Sequence, residues 1–226
     1  MSKINGKSAG KRKPPVKSAT KPTPKKRSPK PSPSDSVIAK RILESARDLI
    51  YRNGFFKTGI RQIAKQANTS VSNLYVYFQS KQDLAIWYLN EEENLQIQRL
   101  ETLMKTYPDP RQFLRIWILR KKMDRKRNQF LGCPFAGMSY QTSDWDPVIQ
   151  NRFREIQENW INTLQKYLNN AKMNGYLPEN SKPEGLADRI LAYYQGCILN
   201  WRLTGDLRYW KVMENLMERE LDLLYT

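Results

Sequence analysis

No histidine occurs among the 226 residues. That absence removes the commonest general base and the commonest metal ligand, so no Ser-His or Cys-His pair exists and neither a metal site nor a cofactor is expected. A phosphate-cradling glycine loop and clustered carboxylates are missing as well, and an enzyme ranks last among the classes of function. Two cysteines, Cys133 and Cys197, are too few for a disulfide framework in a chain of this size and fit a reducing compartment. No apolar run approaches the roughly 20 residues that a membrane-crossing helix needs, so no membrane partner is expected. The opening MSKINGKSAGKRK has no apolar stretch of the kind a secretion signal carries, which makes the cytoplasm the expected location.

What the chain has in excess is positive charge, with 39 Lys and Arg against 22 Asp and Glu. A net charge of +17 points to a polyanionic partner, although charge alone does not separate DNA from RNA or from an anionic lipid surface. The charge is unevenly placed. Residues 1–33 hold eleven Lys and Arg, seven Pro and no acid, and with almost nothing apolar beyond Ile4 and Val16 they are expected to form a disordered basic tail. The remaining residues carry 28 basic against 22 acidic side chains and have the apolar content of a folded body.

From Ser34 onward the apolar periodicity is helical, without alternating strands or an Asn-Gly hairpin signal, and the fold class is all-α. A first helix is predicted from about Asp35 to Asn53, with Ile38, Ile42, Ala46, Leu49 and Ile50 on one stripe and Gly54 as its stop, followed by Phe55 and Phe56 anchoring the turn. Thr58 can cap a two-turn segment whose buried face is Ile60, Ile63, Ala64 and Ala67. After Asn68-Thr69-Ser70 a second short helix runs from Val71 to Phe78 with Leu74 and Phe78 inward. Ser80 and Asp83 then open a longer helix to about Met104. The pairs Asp109-Pro110 and Asp146-Pro147 mark two more helix starts, with Gly132 to Thr142 reading as less regular between them. The helix from Pro147 carries Ile149, Phe153, Ile156, Trp160, Leu164, Tyr167 and Leu168 on one face and stops at Gly175. Ser181 with Glu184 reads as a capping box for a helix over about 183–204, and a last helix is predicted over about 206–224. The tight connection makes those two antiparallel, and their large apolar residues make them candidates for a dimer bundle.

Two short helices joined by a three- to four-residue turn form the helix-turn-helix that inserts its second helix into the DNA major groove. Ala64 is small where the helices touch, and Asn68 stands where the turn needs a left-handed residue, which Asn tolerates better than most. On the outer face of the second helix, Ser70, Val71, Ser72 and Asn73 can approach base edges, since Asn pairs bidentately with adenine and Val can touch a thymine methyl. Thr58, Tyr75, Tyr77 and Lys81 have the position or length to meet phosphates, and Arg61 can do either.

The run TGIRQIAKQANTSVSNLYVYFQSKQDL from Thr58 to Leu84 resembles the signature of TetR-family transcriptional regulators. It has the Thr beside the first short helix, Ile-Ala within it, Leu-Tyr on the recognition helix, an aromatic residue before Phe, and Ser-Lys opening the fourth helix. It departs from the pattern at Asn68 and Ser72, where glycine is usual, at Thr69, where an aliphatic is usual, and at Tyr77, where histidine is frequent. Those departures bear on operator choice more than on fold. The resemblance implies a helix-turn-helix DNA-binding domain over 34–84, a helical ligand-binding and dimerisation domain over 85–226, and a homodimer. It further implies a double-stranded DNA operator as partner and a bacterial, nucleoid-associated location when DNA is bound. The commonest habit of the family is repression relieved by a small-molecule or reactive effector.

The stretch Gly132-Cys133-Pro134-Phe135-Ala136-Gly137-Met138, together with Gln195-Gly196-Cys197 and Thr204-Gly205-Asp206, is similar to one branch of the family's C-terminal domains that includes electrophile-responsive repressors. Cys133 is therefore a candidate sensor, and Arg202 is either a nearby cation that would favour a thiolate or a solvated or ion-paired arginine. Trp117, Tyr140, Trp145, Trp160, Tyr194 and Trp201 are candidate effector-pocket walls. Each has a plainer reading, because buried cysteines are commonly inert and aromatics at helical spacing are commonly core. The competing function is an architectural DNA-binding protein that coats DNA without a specific operator.

Overall fold

The structure, a computed structural model, describes residues 36–142 and 146–224; the basic tail and Trp145 lie outside them. Among the described residues there are nine helices and no strands: α1 Val37–Asn53, α2 Ile60–Gln66, α3 Val71–Tyr77, α4 Lys81–Thr106, α5 Pro110–Lys126, α6 Pro134–Thr142, α7 Pro147–Met173, α8 Leu186–Thr204 and α9 Arg208–Asp222. None is long and apolar enough to cross a membrane.

The local signals act largely as their chemistry dictates. The carboxylates of Asp109 and Asp146 accept from the first backbone N–H groups of α5 and α7, and each is followed by proline at the first helical position, where its missing N–H costs nothing. Ser80 accepts from the Asp83 N–H at 3.0 Å and starts α4. Gly54 closes α1 at φ 87° and Gly205 closes α8 at φ 73°, a backbone region that favours glycine.

Four expectations are corrected. Phe55 is buried as an anchor, but Phe56 is 58% exposed because the turn points only one ring into the core. Thr58 does not cap α2: its hydroxyl donates to the Gly54 carbonyl at 2.7 Å, and the cap position falls to Gly59, whose N–H is taken by the Gln62 side chain at 2.9 Å. Residues 134–142, read as less regular, form α6, because Phe135, Met138 and Thr142 recur at helical spacing over a span too short for the pattern to stand out. The Ser181 and Glu184 pair is not a capping box. α8 begins three residues later than that reading, after Gly185 in the left-handed region, and the buried Ser181 hydroxyl has no partner.

Two apolar clusters organise the body. One joins Ile42, Ile63, Leu74 and Phe78 of α1–α3 and their flanks to Leu84, Tyr88 and Leu89 of α4, and continues into Phe135, Met138, Ile149 and Ile156 of α6 and α7. The other packs Leu100 and Leu103 of α4 with α5, α7, α8 and α9. α4 is thus the helix whose first half belongs to one core and whose second half belongs to the other. α8 and α9 pack closely on each other, with α7 against α8 and α5 against α9.

The turn between α2 and α3 depends on Asn68, which holds φ 50° while the Thr69 N–H closes onto the Ala64 carbonyl at 2.9 Å. A Cβ-bearing residue without a local polar group pays about 1–2 kcal/mol there. Asn68→Ala is expected to destabilise the protein by about 1 kcal/mol and Asn68→Gly to leave stability equal or higher, read as shifts of the urea midpoint.

Candidate nucleic-acid interface and effector cavity

α2 and α3 present one outward surface around this turn. Arg61, Ser72 and Tyr75 are exposed on it. The Ser70 hydroxyl accepts from the Asn73 N–H at 3.0 Å, which caps α3, while the Asn73 amide donates to the Thr69 hydroxyl at 2.9 Å. Thr69 thereby orients the Asn73 amide at the start of α3. Val71 is half-buried against the first core, with only part of its side chain facing outward.

Three residues expected to touch phosphates have partners within the protein. Thr58 is fully buried and its hydroxyl is committed to Gly54, so it shapes the turn and does not meet a phosphate. Tyr77 is half-buried and its phenol accepts from the Ser36 hydroxyl at 2.8 Å. Lys81 donates to the Phe55 carbonyl at 2.6 Å and stands 4.4 Å from the centre of the Phe55 ring; burial pulls its pKa below the ordinary lysine value. An ammonium has three donors, so Lys81 can hold the turn and still offer a proton outward. Two exposed residues on this surface escaped the sequence reading: Lys57 before α2 and Val76, 45% exposed, on α3.

The second feature is a cavity of about 590 Å³ between α1, α4, α5, α6, α7 and α8, within the usual size for a small-molecule site. Of the residues expected to form its walls, Cys133, Tyr140, Trp160 and Tyr194 line it. Tyr140 does so from the rim, at 71% exposure. Trp117 is not in the wall: it is buried behind it, stacked on Tyr194 with centroids 4.9 Å apart. Trp201 is displaced further, stacked on Phe130 at 6.0 Å and set edge-on to Trp210 at 5.3 Å, where α8 and α9 bind each other. Cys133 is half-buried, and its sulfur accepts from the Gln195 amide at 3.3 Å. Cys197 is buried, and that burial pushes its thiol pKa up.

The sequence reading missed the charged part of the cavity and its surroundings. Arg47 of α1 pairs with Glu92 of α4 at 2.6 Å, the carboxylate side chain being only 5% exposed. The next residue, Glu93, pairs with Arg152 of α7 and accepts from the Asn159 amide at 2.9 Å, while Arg152 also donates to Asn90 at 2.6 Å. Tyr51 of α1 spans to the segment before α6, donating to the Gly132 carbonyl at 2.8 Å and accepting from the Leu131 N–H at 2.7 Å. Burial raises its phenol pKa to about 12, so it stays protonated and keeps both bonds. Glu92 and Glu93 belong to a run of three consecutive glutamates. The signal that places two of them inside is periodicity: Ala85, Tyr88 and Leu89 continue to Glu92 and Glu93 at three- and four-residue steps.

A helix-turn-helix with an exposed second helix, set on a helical body with a half-open cavity, is the architecture of a DNA-binding regulator. Residues 42–86 match the family model for bacterial regulatory proteins of the tetR family, and residues 111–217 match that for the tetracyclin repressor-like C-terminal domain. The chain belongs to the TetR family of DNA-binding transcriptional regulators. It is 27% identical over 192 residues to an uncharacterized HTH-type transcriptional regulator in the lacX 3′ region of Lactococcus lactis subsp. lactis, covering 82% of this chain and 90% of the relative. Among solved structures, a TetR-family regulator from Agrobacterium tumefaciens superposes with a TM-score of 0.72 at 20% identity, covering 84% of this chain and 99% of that one. The reduced form of E. coli NemR gives 0.70 at 20% identity, covering 80% and 95%.

Removing Glu93 leaves Arg152, whose side chain is 15% exposed, with Asn90 and the more exposed Glu155 as partners. Glu93→Ala is expected to cost about 3 kcal/mol, the low end for a broken buried pair, and Glu93→Leu combined with Arg152→Met to recover most of it, read by chemical denaturation of the three proteins.

Proposed function

We propose that this regulator works as a homodimeric repressor that reads a palindromic operator with α3 and leaves it when an effector enters the cavity. The observation that carries this reading is the α2–α3 surface, where Asn68 sets the turn and Arg61, Ser72 and Tyr75 face outward. Ser70, Val71, Ser72 and Asn73 supply base contacts, and Arg61, Tyr75, Tyr77 and Lys81 supply phosphate contacts that fix orientation. Residues 34–84 act as the reading head and 85–226 as the effector and dimerisation part, with residues 1–33 laying positive charge along flanking DNA. The protein works in the bacterial cytoplasm, on the nucleoid when bound, and performs no catalysis of its own.

The dimer is supported by α8 and α9, whose connection leaves Leu203 and Leu207 72% and 51% exposed, with Leu199 and Val212 also open at 40% and 39%. Exposed apolar residues such as Leu199 and Leu203, one helical turn apart on α8, are typical of a protein interface. Two heads held rigidly fit successive major grooves only near one helical turn, roughly 34 Å, or a multiple of it. An effector that favours another separation releases DNA by shifting the population. Cys133, half-buried in the cavity wall, is the position at which a reactive effector would act; alkylating it should then lower DNA affinity.

Selection of the full-length protein on randomised duplex DNA at near-physiological salt tests the reading. An enriched palindrome with half-sites about one turn apart is expected, and the chain lacking residues 1–33 should recover the same palindrome with a shallower salt dependence. Recovery of no common sequence would instead favour an architectural role driven by charge.

A further inference from the structure

Charge is unevenly satisfied along the polar side of the cavity. Glu92 is used twice, by Arg47 at 2.6 Å and by the Gln96 amide at 2.8 Å. Gln96 then turns its carbonyl oxygen to Lys121, 3.5 Å away across the space between α4 and α5. Gln96 thereby stands between the carboxylate and the second cation. Lys121 has no other polar partner and no carboxylate at ion-pair distance among the described residues; its ammonium lies 5.2 Å from the centre of the Phe130 ring. Burial lowers its pKa; Cys133, Asp124 and Glu92 act against that from further off, and Arg99 adds to it.

Trp160 carries the unsatisfied donor in this wall. Its indole N–H is buried with no acceptor, and Trp160 and Lys121 both line this cavity and the cavity beside it. The same space is floored by Tyr88, Phe135, Leu191 and Tyr194. Buried donors without acceptors are costly until something accepts from them. A neutral apolar ligand would leave the Trp160 N–H without an acceptor and Lys121 with only its long contact to Gln96; of the acids that also line the cavity, Glu92 and Asp48 are already paired with Arg47 and Arg52.

We infer that the effector is an amphipathic anion, an apolar or aromatic body bearing one acidic headgroup, with Lys121 and the Trp160 indole N–H holding the headgroup and the aromatic floor holding the body. This rests on the reading of the cavity as the effector site. Lys121 is the residue that selects charge, and the rest of the wall selects size.

A matched pair of fluorescent probes separates the two claims. 1-Anilinonaphthalene-8-sulfonate carries a sulfonate, and N-phenyl-1-naphthylamine has the same rings without it. On the full-length protein, both are expected to bind one shared site per chain, each displacing the other. Lys121→Met, which keeps the chain length of the side chain, should weaken the sulfonate about tenfold or more and the neutral probe less than about twofold, and Lys121→Arg should restore the sulfonate. Equal sulfonate affinity in Lys121→Met and the parent would overturn the anion inference while leaving the cavity as the effector site. Equal loss of both probes in Lys121→Met, with its helical circular dichroism intact, would overturn it too, because Lys121 would then shape the cavity without reading charge. Binding of neither probe to the parent would overturn the cavity reading itself and the inference with it.

Discussion

Two adjacent glutamates on one helix carry much of what this molecule can do. Glu92 and Glu93 sit on α4 where apolar residues would ordinarily be, each only 5% exposed, and each finds an arginine on a different helix. Glu92 ties α4 to α1 through Arg47, and Glu93 ties it to α7 through Arg152. Buried pairs of this kind add little net stability compared with an apolar packing of the same volume, yet removing one partner is severe. Their effect is to fix geometry, because a carboxylate taken out of water tolerates few arrangements of its partners.

That fixed geometry connects the two halves of the function. α4 begins in the core built by α1–α3 and ends in the core built with α5, α7, α8 and α9. Its middle, where the glutamates are, forms part of the cavity wall. Tyr51 adds a second tie from α1 to the segment before α6. A ligand that changes the partners of Glu92, Gln96 or Lys121 thus acts on the helix that also supports the reading head, with no longer relay required. Coupling of this kind needs packed elements with discrete arrangements, and a helix shared by two cores supplies one.

Much of this was legible in the residues because the signals are local. Asp-Pro pairs start α5 and α7, Gly54 and Gly205 end helices, and Asn68 sets the turn, each through chemistry confined to a few neighbouring atoms. The order of residues from Thr58 to Leu84 carried the family. Thr58 and Lys81 have the position or length to meet phosphates, and the structure turns both toward Gly54 and Phe55 to satisfy carbonyls of the turn. Trp117 and Trp201 are expected in the cavity from the resemblance of the C-terminal half, whereas Trp117 backs Tyr194 and lines the cavity beside it, and Trp201 belongs to the α8–α9 packing. The charged wall was missed because an acid at a core position declares itself only through the partner it meets, and Arg152 lies 59 residues from Glu93 along the chain.

The central claim is that the Arg47–Glu92 contact makes α1, α4 and the cavity wall one mechanical unit. Native-state hydrogen exchange on the full-length protein, compared with Arg47→Met, tests it most directly, since amide protection reports which segments open together. If the account is right, the substitution lowers the opening free energy in α1 and equally in the middle of α4 and in the α8 segment around Leu191. Loss of protection confined to α1, with α4 and α8 unchanged, would contradict it.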